Sequence, residues 1–148
     1  MRAGLYLGLL IVATGAALWK GTTGERWVAG IMLAGNLLTL LLVETIARSF
    51  ASVSALFMIL DATLALLLCL VAVRYPSWVT ILVSAFQING TLGHLVKLAA
   101  PQTIPFSYAF LLRFWAWPMV LVLLLSRFFQ RLRTILKASD WPAGLLRR

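Results

Sequence analysis

The stretch FQINGTLGHLVKLAAP, residues 86–101, gathers Gln87, Asn89, the single histidine His94 and Lys97 in a chain whose polar residues are otherwise sparse. A side-chain amide both donates and accepts hydrogen bonds and an ammonium only donates. An imidazole does either, carries a proton near neutral pH, or ligates a metal. Three chemistries are therefore open to the segment: hydrogen bonding between helices, a proton relay, and ligation of a cofactor. A second candidate is Asp61 in MILDATLALL, a carboxyl with no basic residue within reach on its own helix. At membrane depth such a group is expected to hydrogen-bond Gln87 or Asn89, or to carry a proton or cation.

Gln87, Thr91, His94 and Leu98 recur at spacings of four, three and four, so on a helix they form one stripe that must point at protein. His94 is expected to be mainly a hydrogen-bonded packing residue on that stripe. Gly90, four residues earlier, leaves room above the imidazole, as a flat macrocycle needs if the ring nitrogen ligates its metal. Over these five residues the pattern is similar to that of the single-span antenna helices that bind bacteriochlorophyll, and the similarity implies His94 as ligand with Gly90 as the space. A haem held by two histidines within the chain is excluded by the histidine count, and no particular cofactor is identified.

Other chemistry is missing. Cys69 stands alone in an apolar run, without a partner for a disulfide or a cysteine zinc site, and no metal site is expected. No paired carboxylates share a helix, and H-E-x-x-H, G-x-S-x-G and C-x-x-C motifs do not occur. GTTGE, residues 21–25, reads as a turn with an N-cap for the next helix rather than a phosphate cradle, because no Lys-Ser or Lys-Thr follows. The chain is expected not to be an enzyme.

The elements that position these residues follow from composition. Hydrophobic residues make up 62% of the 148 and charged residues 11%, with a mean hydropathy of +0.98. Four acidic and thirteen basic residues cannot cover a water-soluble surface. The net charge of +9 does not signal nucleic acid, because many Lys and Arg punctuate apolar runs instead of gathering on a polar face. Placed so, they act as topology signals and as contacts for anionic lipid.

Five apolar segments emerge, at 3–19, 28–47, 50–73, 78–100 and 106–126. About 20 residues at ~1.5 Å each cross a hydrocarbon core of about 30 Å, and only helices satisfy their own backbone groups there. The expected fold is an all-α integral membrane protein. Residues 1–126 form a five-span antiparallel transmembrane helix bundle. Residues 127–148 form a cytoplasmic tail with a basic amphipathic interfacial helix, in which Phe128, Leu132 and Ile135 share one face and Arg127, Arg131 and Thr134 another. The first run is read as a retained span rather than a cleaved signal. Trp19, Trp27, Trp78 and Trp141 fall at segment ends as interface anchors. Gly4 and Gly8, like Gly90 and Gly93, are expected to let helices approach closely, and Pro118 should kink the fifth span.

Counting depth from the ends of these segments yields two polar layers. Asn36, Asp61, Gln87 and Asn89 fall near the midplane, whereas Glu44, His94 and Arg113 fall in the outer third with Lys97 beyond them, close enough to the surface to snorkel. Glu44 can pair with Arg48 on its own helix or with Arg113. Lys and Arg weigh toward the side carrying Lys20, Arg26, Arg74 and the C-terminal tail, so the N-terminus is expected outside and the C-terminus in the cytoplasm, in a bacterial inner membrane.

The function expected from this pattern is that of a non-catalytic polytopic subunit, structural or accessory in a larger membrane protein complex. Its partners would be other membrane protein subunits and membrane lipids, with anionic lipid at the basic tail and no nucleic acid. The alternative is a small proton- or ion-coupled transporter that uses the midplane Asp/Gln/Asn layer.

Overall fold

The computed structural model contains five α-helices among its described residues: α1 (Arg2–Lys20), α2 (Thr23–Ile46), α3 (Ala55–Arg74), α4 (Trp78–Ala99) and α5 (Pro105–Ser139). The structure describes residues 2–46, 55–100, 102 and 105–139, with side chains over 4–42, 55–100 and 114–130 and at 102 and 110. Within these, Thr23–Leu42, Ala55–Arg74 and Trp78–Ala99 are long and apolar enough to cross a membrane, and α1 and α5 contribute the shorter apolar stretches Gly4–Lys20 and Phe114–Gln130. The molecule is an all-helical bundle whose composition is consistent with a membrane location.

Local chemistry sets the helix boundaries. At the end of α1 the Gly21 amide donates to the Ala17 carbonyl at 2.7 Å, and a Cβ at Gly21 would overlap that same oxygen. Helix α2 then opens on a reciprocal cap: the Glu25 amide donates to the Thr22 hydroxyl at 3.4 Å, and the Thr22 amide donates to the Glu25 carboxylate at 2.8 Å. Pro76 separates α3 from α4, where Ser77 and Thr80 form a second capping box. Helix α5 starts on Pro105, a residue suited to the first turn because its missing N–H would have no partner there.

One boundary differs from the sequence expectation. The fifth apolar segment and the basic segment after it are one helix of 35 residues, because nothing at Ser126 or Arg127 breaks helical hydrogen bonding.

Consecutive helices are neighbours, α5 returns to pack on α1, and α2 reaches α4 across the interior, which closes the five helices into a ring. The Tyr6 and Trp117 rings, 5.5 Å apart edge to face, mark the α1–α5 closure. Buried apolar residues such as Leu10, Ala17, Val28, Leu68, Val83 and Leu123 form the core. They lie toward the end of the bundle where the α1–α2 and α3–α4 turns meet, here the Glu25 end. Close helix approach occurs at Gly24, whose Cβ would come within 2.9 Å of the Tyr75 Cβ, and at Gly35, whose Cβ would meet the Leu64 side chain at 2.6 Å. Gly4 and Gly8 do not serve this purpose: they face outward, with nothing within 4 Å of an added Cβ.

Candidate functional site

The α3–α4 turn dictates what faces what. The Thr80 amide donates to the Ser77 hydroxyl at 3.1 Å, the Ser77 amide donates to the Thr80 hydroxyl at 3.0 Å, and the Tyr75 carbonyl lies 3.0 Å from that hydroxyl. So clamped, the two helices run back from the turn in antiparallel register. Asp61 stands thirteen residues before Arg74, and Thr91 thirteen residues after Trp78. At ~1.5 Å per residue both lie about 20 Å from the Glu25 end.

The stripe of α4 expected to face protein meets Asp61. The His94 Nε2 lies 2.9 Å from Asp61 Oδ2, and the Thr91 hydroxyl donates to the Asp61 carbonyl at 3.2 Å and to the Gln87 carbonyl at 3.0 Å. The Gln87 amide donates to the same Asp61 carbonyl at 3.5 Å. Both the side chain and the backbone of Asp61 are thus tied to α4. His94 is 2% exposed and the Asp61 side chain 28%, so the pair is shielded on the imidazole side and partly open on the carboxylate side. One proton held between Nε2 and Oδ2 satisfies the contact, whichever side carries it. The arrangement can lock two helices or handle a proton.

Asp61, expected in the midplane layer, and His94, expected in the outer one, share one level, because the α3–α4 turn sets their register. Asn36 stands at that level on α2, thirteen residues after Thr23, with a half-buried side chain. Gln87 lies a turn closer to the Glu25 end. Asn89 does not join the layer: it points outward and donates to the Ala85 carbonyl of its own helix at 2.9 Å. Lys97 does not snorkel, being 4% exposed inside the protein. Glu44 and Arg113 fall on α2 and α5 with side chains outside the described residues, and Arg48 lies outside them altogether.

The space expected beside Gly90 for a macrocycle belongs to α5. A Cβ on Gly90 would lie 3.8 Å from the Trp115 Cβ, and Trp115 stacks on Phe86 of α4 with centroids 5.9 Å apart. Nε2 is engaged by Asp61 and the ring is enclosed, so this geometry sets His94 as an interhelical partner. Among the described residues no group of three His, Cys, Asp or Glu comes together as a metal site.

A second polar cluster closes the Glu25 end. Glu25 is 2% exposed and accepts from the Thr22 amide and hydroxyl at 2.8 and 3.0 Å, from the Gln130 amide at 3.1 Å, and from the Arg127 guanidinium. Arg127 also donates to the Lys20 carbonyl at 2.6 Å, so one residue of α5 ties the end of α1 to the start of α2. Every group facing the carboxylate is a donor, which suits its ionised form. Arg127, assigned from sequence to the polar face of an interfacial helix, is therefore an internal clamp. Sequence reasoning identified the N-cap in this turn but missed the cluster. The pattern Thr-x-x-Glu at Thr22 and Glu25 signals the capping box, whereas nothing local signals Arg127 and Gln130 more than 100 residues later.

Compared with protein-family models, with curated proteins and with solved structures, the chain shows no match.

Proposed function

We propose that the chain is a non-catalytic five-span membrane subunit, structural or accessory in a larger membrane protein assembly, set in a bacterial inner membrane with its N-terminus outside and its C-terminus in the cytoplasm. One observation carries the reading. The two acids with described side chains are each joined to a base on another helix, Asp61 to His94 and Glu25 to Arg127, so their role is to hold the bundle together. The outward faces support it, since they present large aliphatic side chains such as Leu5, Leu41, Ile59, Leu92 and Leu121, which suit lipid tails and neighbouring helices. Beyond Gln130 the basic segment lies against anionic headgroups. Purification of the tagged full-length chain in mild detergent tests the assembly: a co-purifying membrane protein is expected, and a monodisperse monomer with none overturns the reading.

One observation favours a second reading, a small proton- or ion-coupled transporter. Asp61 has a partly exposed carboxylate whose described hydrogen bond uses Oδ2 alone, beside a histidine able to exchange a proton with it. On that reading Asp61→Asn abolishes pH-dependent flux in proteoliposomes, and unchanged flux sinks it.

A further inference from the structure

The Glu25 end carries more positive charge than it neutralises. Lys20 closes α1, Arg26 stands in the first turn of α2 and Arg74 closes α3, and all three are exposed. The acid described at that end is Glu25, and its carboxylate is occupied by Arg127, Gln130 and Thr22. Among the described residues no carboxylate pairs with Lys20, Arg26 or Arg74. These cations are therefore available to an anion from outside the helices described.

Their neighbours indicate its kind. The Lys20 ammonium lies 6.0 Å from the centroid of the Trp19 ring, the Arg74 guanidinium 5.4 Å from that of Tyr75, and Arg26 precedes Trp27. Trp19 is 82% exposed, and Trp27 and Trp78 are also exposed at this end. Exposed Leu18 and Val73 come immediately before the Trp19–Lys20 and Arg74–Tyr75 pairs. At Lys20 and at Arg74 a cation, an aromatic ring and an aliphatic side chain thus occur together, and at Arg26 a cation and a ring. An acidic protein would satisfy the cation alone. A phospholipid satisfies all three, with phosphate on the cation, the headgroup boundary on the ring and acyl chain on the aliphatic group. Between α4 and α5 at the same end, Trp78, Ser126, Phe129 and Gln130 line a cleft of ≈ 280 Å³ with aromatic walls and polar side chains, room for part of a headgroup.

We infer that the Glu25 end is a collar for anionic phospholipid, in which Lys20, Arg26 and Arg74 bind phosphodiester groups flanked by Trp19, Trp27 and Trp78. The collar is separate from the basic segment of α5. It rests on the reading of the chain as embedded in a membrane, but not on which assembly it serves.

Native mass spectrometry of the full-length protein in mild detergent tests this, using phosphatidylglycerol and phosphatidylcholine with identical acyl chains. The wild type should retain phosphatidylglycerol preferentially. Lys20→Gln/Arg26→Gln/Arg74→Gln should lower that preference by about tenfold or more, whereas Arg131→Gln/Arg133→Gln/Lys137→Gln should keep most of it. Equal retention of the two lipids by the wild type, or an unchanged preference in the collar variant, overturns the inference. So does displacement of the lipid by an equal concentration of inorganic phosphate, which would mark a free-anion site, or by polyglutamate, which would mark an acidic-protein site. Circular dichroism confirms that the variants are folded, and resistance to carbonate extraction tests membrane embedding separately.

Discussion

Asp61 and His94 depend on each other, because removing either leaves a polar group on an apolar helix face without its partner. Asp61→Ala and His94→Ala should each destabilise the bundle, and a double-mutant cycle read by detergent unfolding should return a coupling of about 1 kcal/mol, within the range of interhelical hydrogen bonds in membranes. A coupling of zero would mean that the contact does not exist in the folded state. Glu25→Gln should cost more, about 3 kcal/mol in the same assay, because it leaves the Arg127 charge with no carboxylate. Arg127→Gln placed on top should recover part of the loss. Thr14 gives the opposite sign: its hydroxyl is buried on α1 with no hydrogen-bond partner, so Thr14→Val should raise stability by about 1 kcal/mol. At this scale the stripe of Gln87, Thr91 and His94 was legible from spacing alone. Its partner was available too, since counting equally from both sides of the RYPS turn sets Asp61 opposite Thr91. Depth counted from the edge of an apolar run missed it, because composition alone does not say which levels of two helices a turn brings together. Glu25 with Arg127 was not legible, because only tertiary packing brings α5 back to the first turn of α2.

The helices owe their spacing to a few glycines, and only some of the glycines in the sequence do this. Gly24→Ala would push a methyl group against the Cβ of Tyr75, an atom fixed to backbone at the α3–α4 turn, and should cost about 1–3 kcal/mol. Gly35→Ala meets the tip of Leu64, a side chain that can turn aside, and should cost less. Gly8→Ala meets open space and should be neutral or gain up to about 1 kcal/mol from helix propensity. Thermal unfolding of the three variants in one detergent ranks them, and a Gly8→Ala variant as damaged as Gly24→Ala would place α1 against something outside the monomer. The G-x-x-x-G pattern at Gly4 and Gly8 could not by itself say which way it pointed, since direction depends on which flank of α1 meets α2 and α5. The five helices and their order were readable from apolar runs and turn residues. The continuity of α5 was not, because a change from apolar to amphipathic composition alters what a helix touches without ending it.

At the scale of the whole molecule, charge and packing are both lopsided among the described side chains. Exposed Lys20, Arg26 and Arg74 share one end with Arg127, whereas Lys97 on the far side is buried. The proposed orientation therefore predicts that a C-terminal green fluorescent protein fusion fluoresces and a C-terminal alkaline phosphatase fusion is inactive; the reverse pair would invert the chain. Packing follows the same axis. The apolar core gathers toward the Glu25 end, locked by Arg127 across α1, α2 and α5, and about 20 Å away the described ties between helices include the polar contacts around Asp61 and the Trp115 packing. Arg127 is in this sense a rivet: one side chain fastens the last turn of α1 to the first turn of α2, and a pull that separates those two ends must break its bonds to Lys20 and Glu25 together.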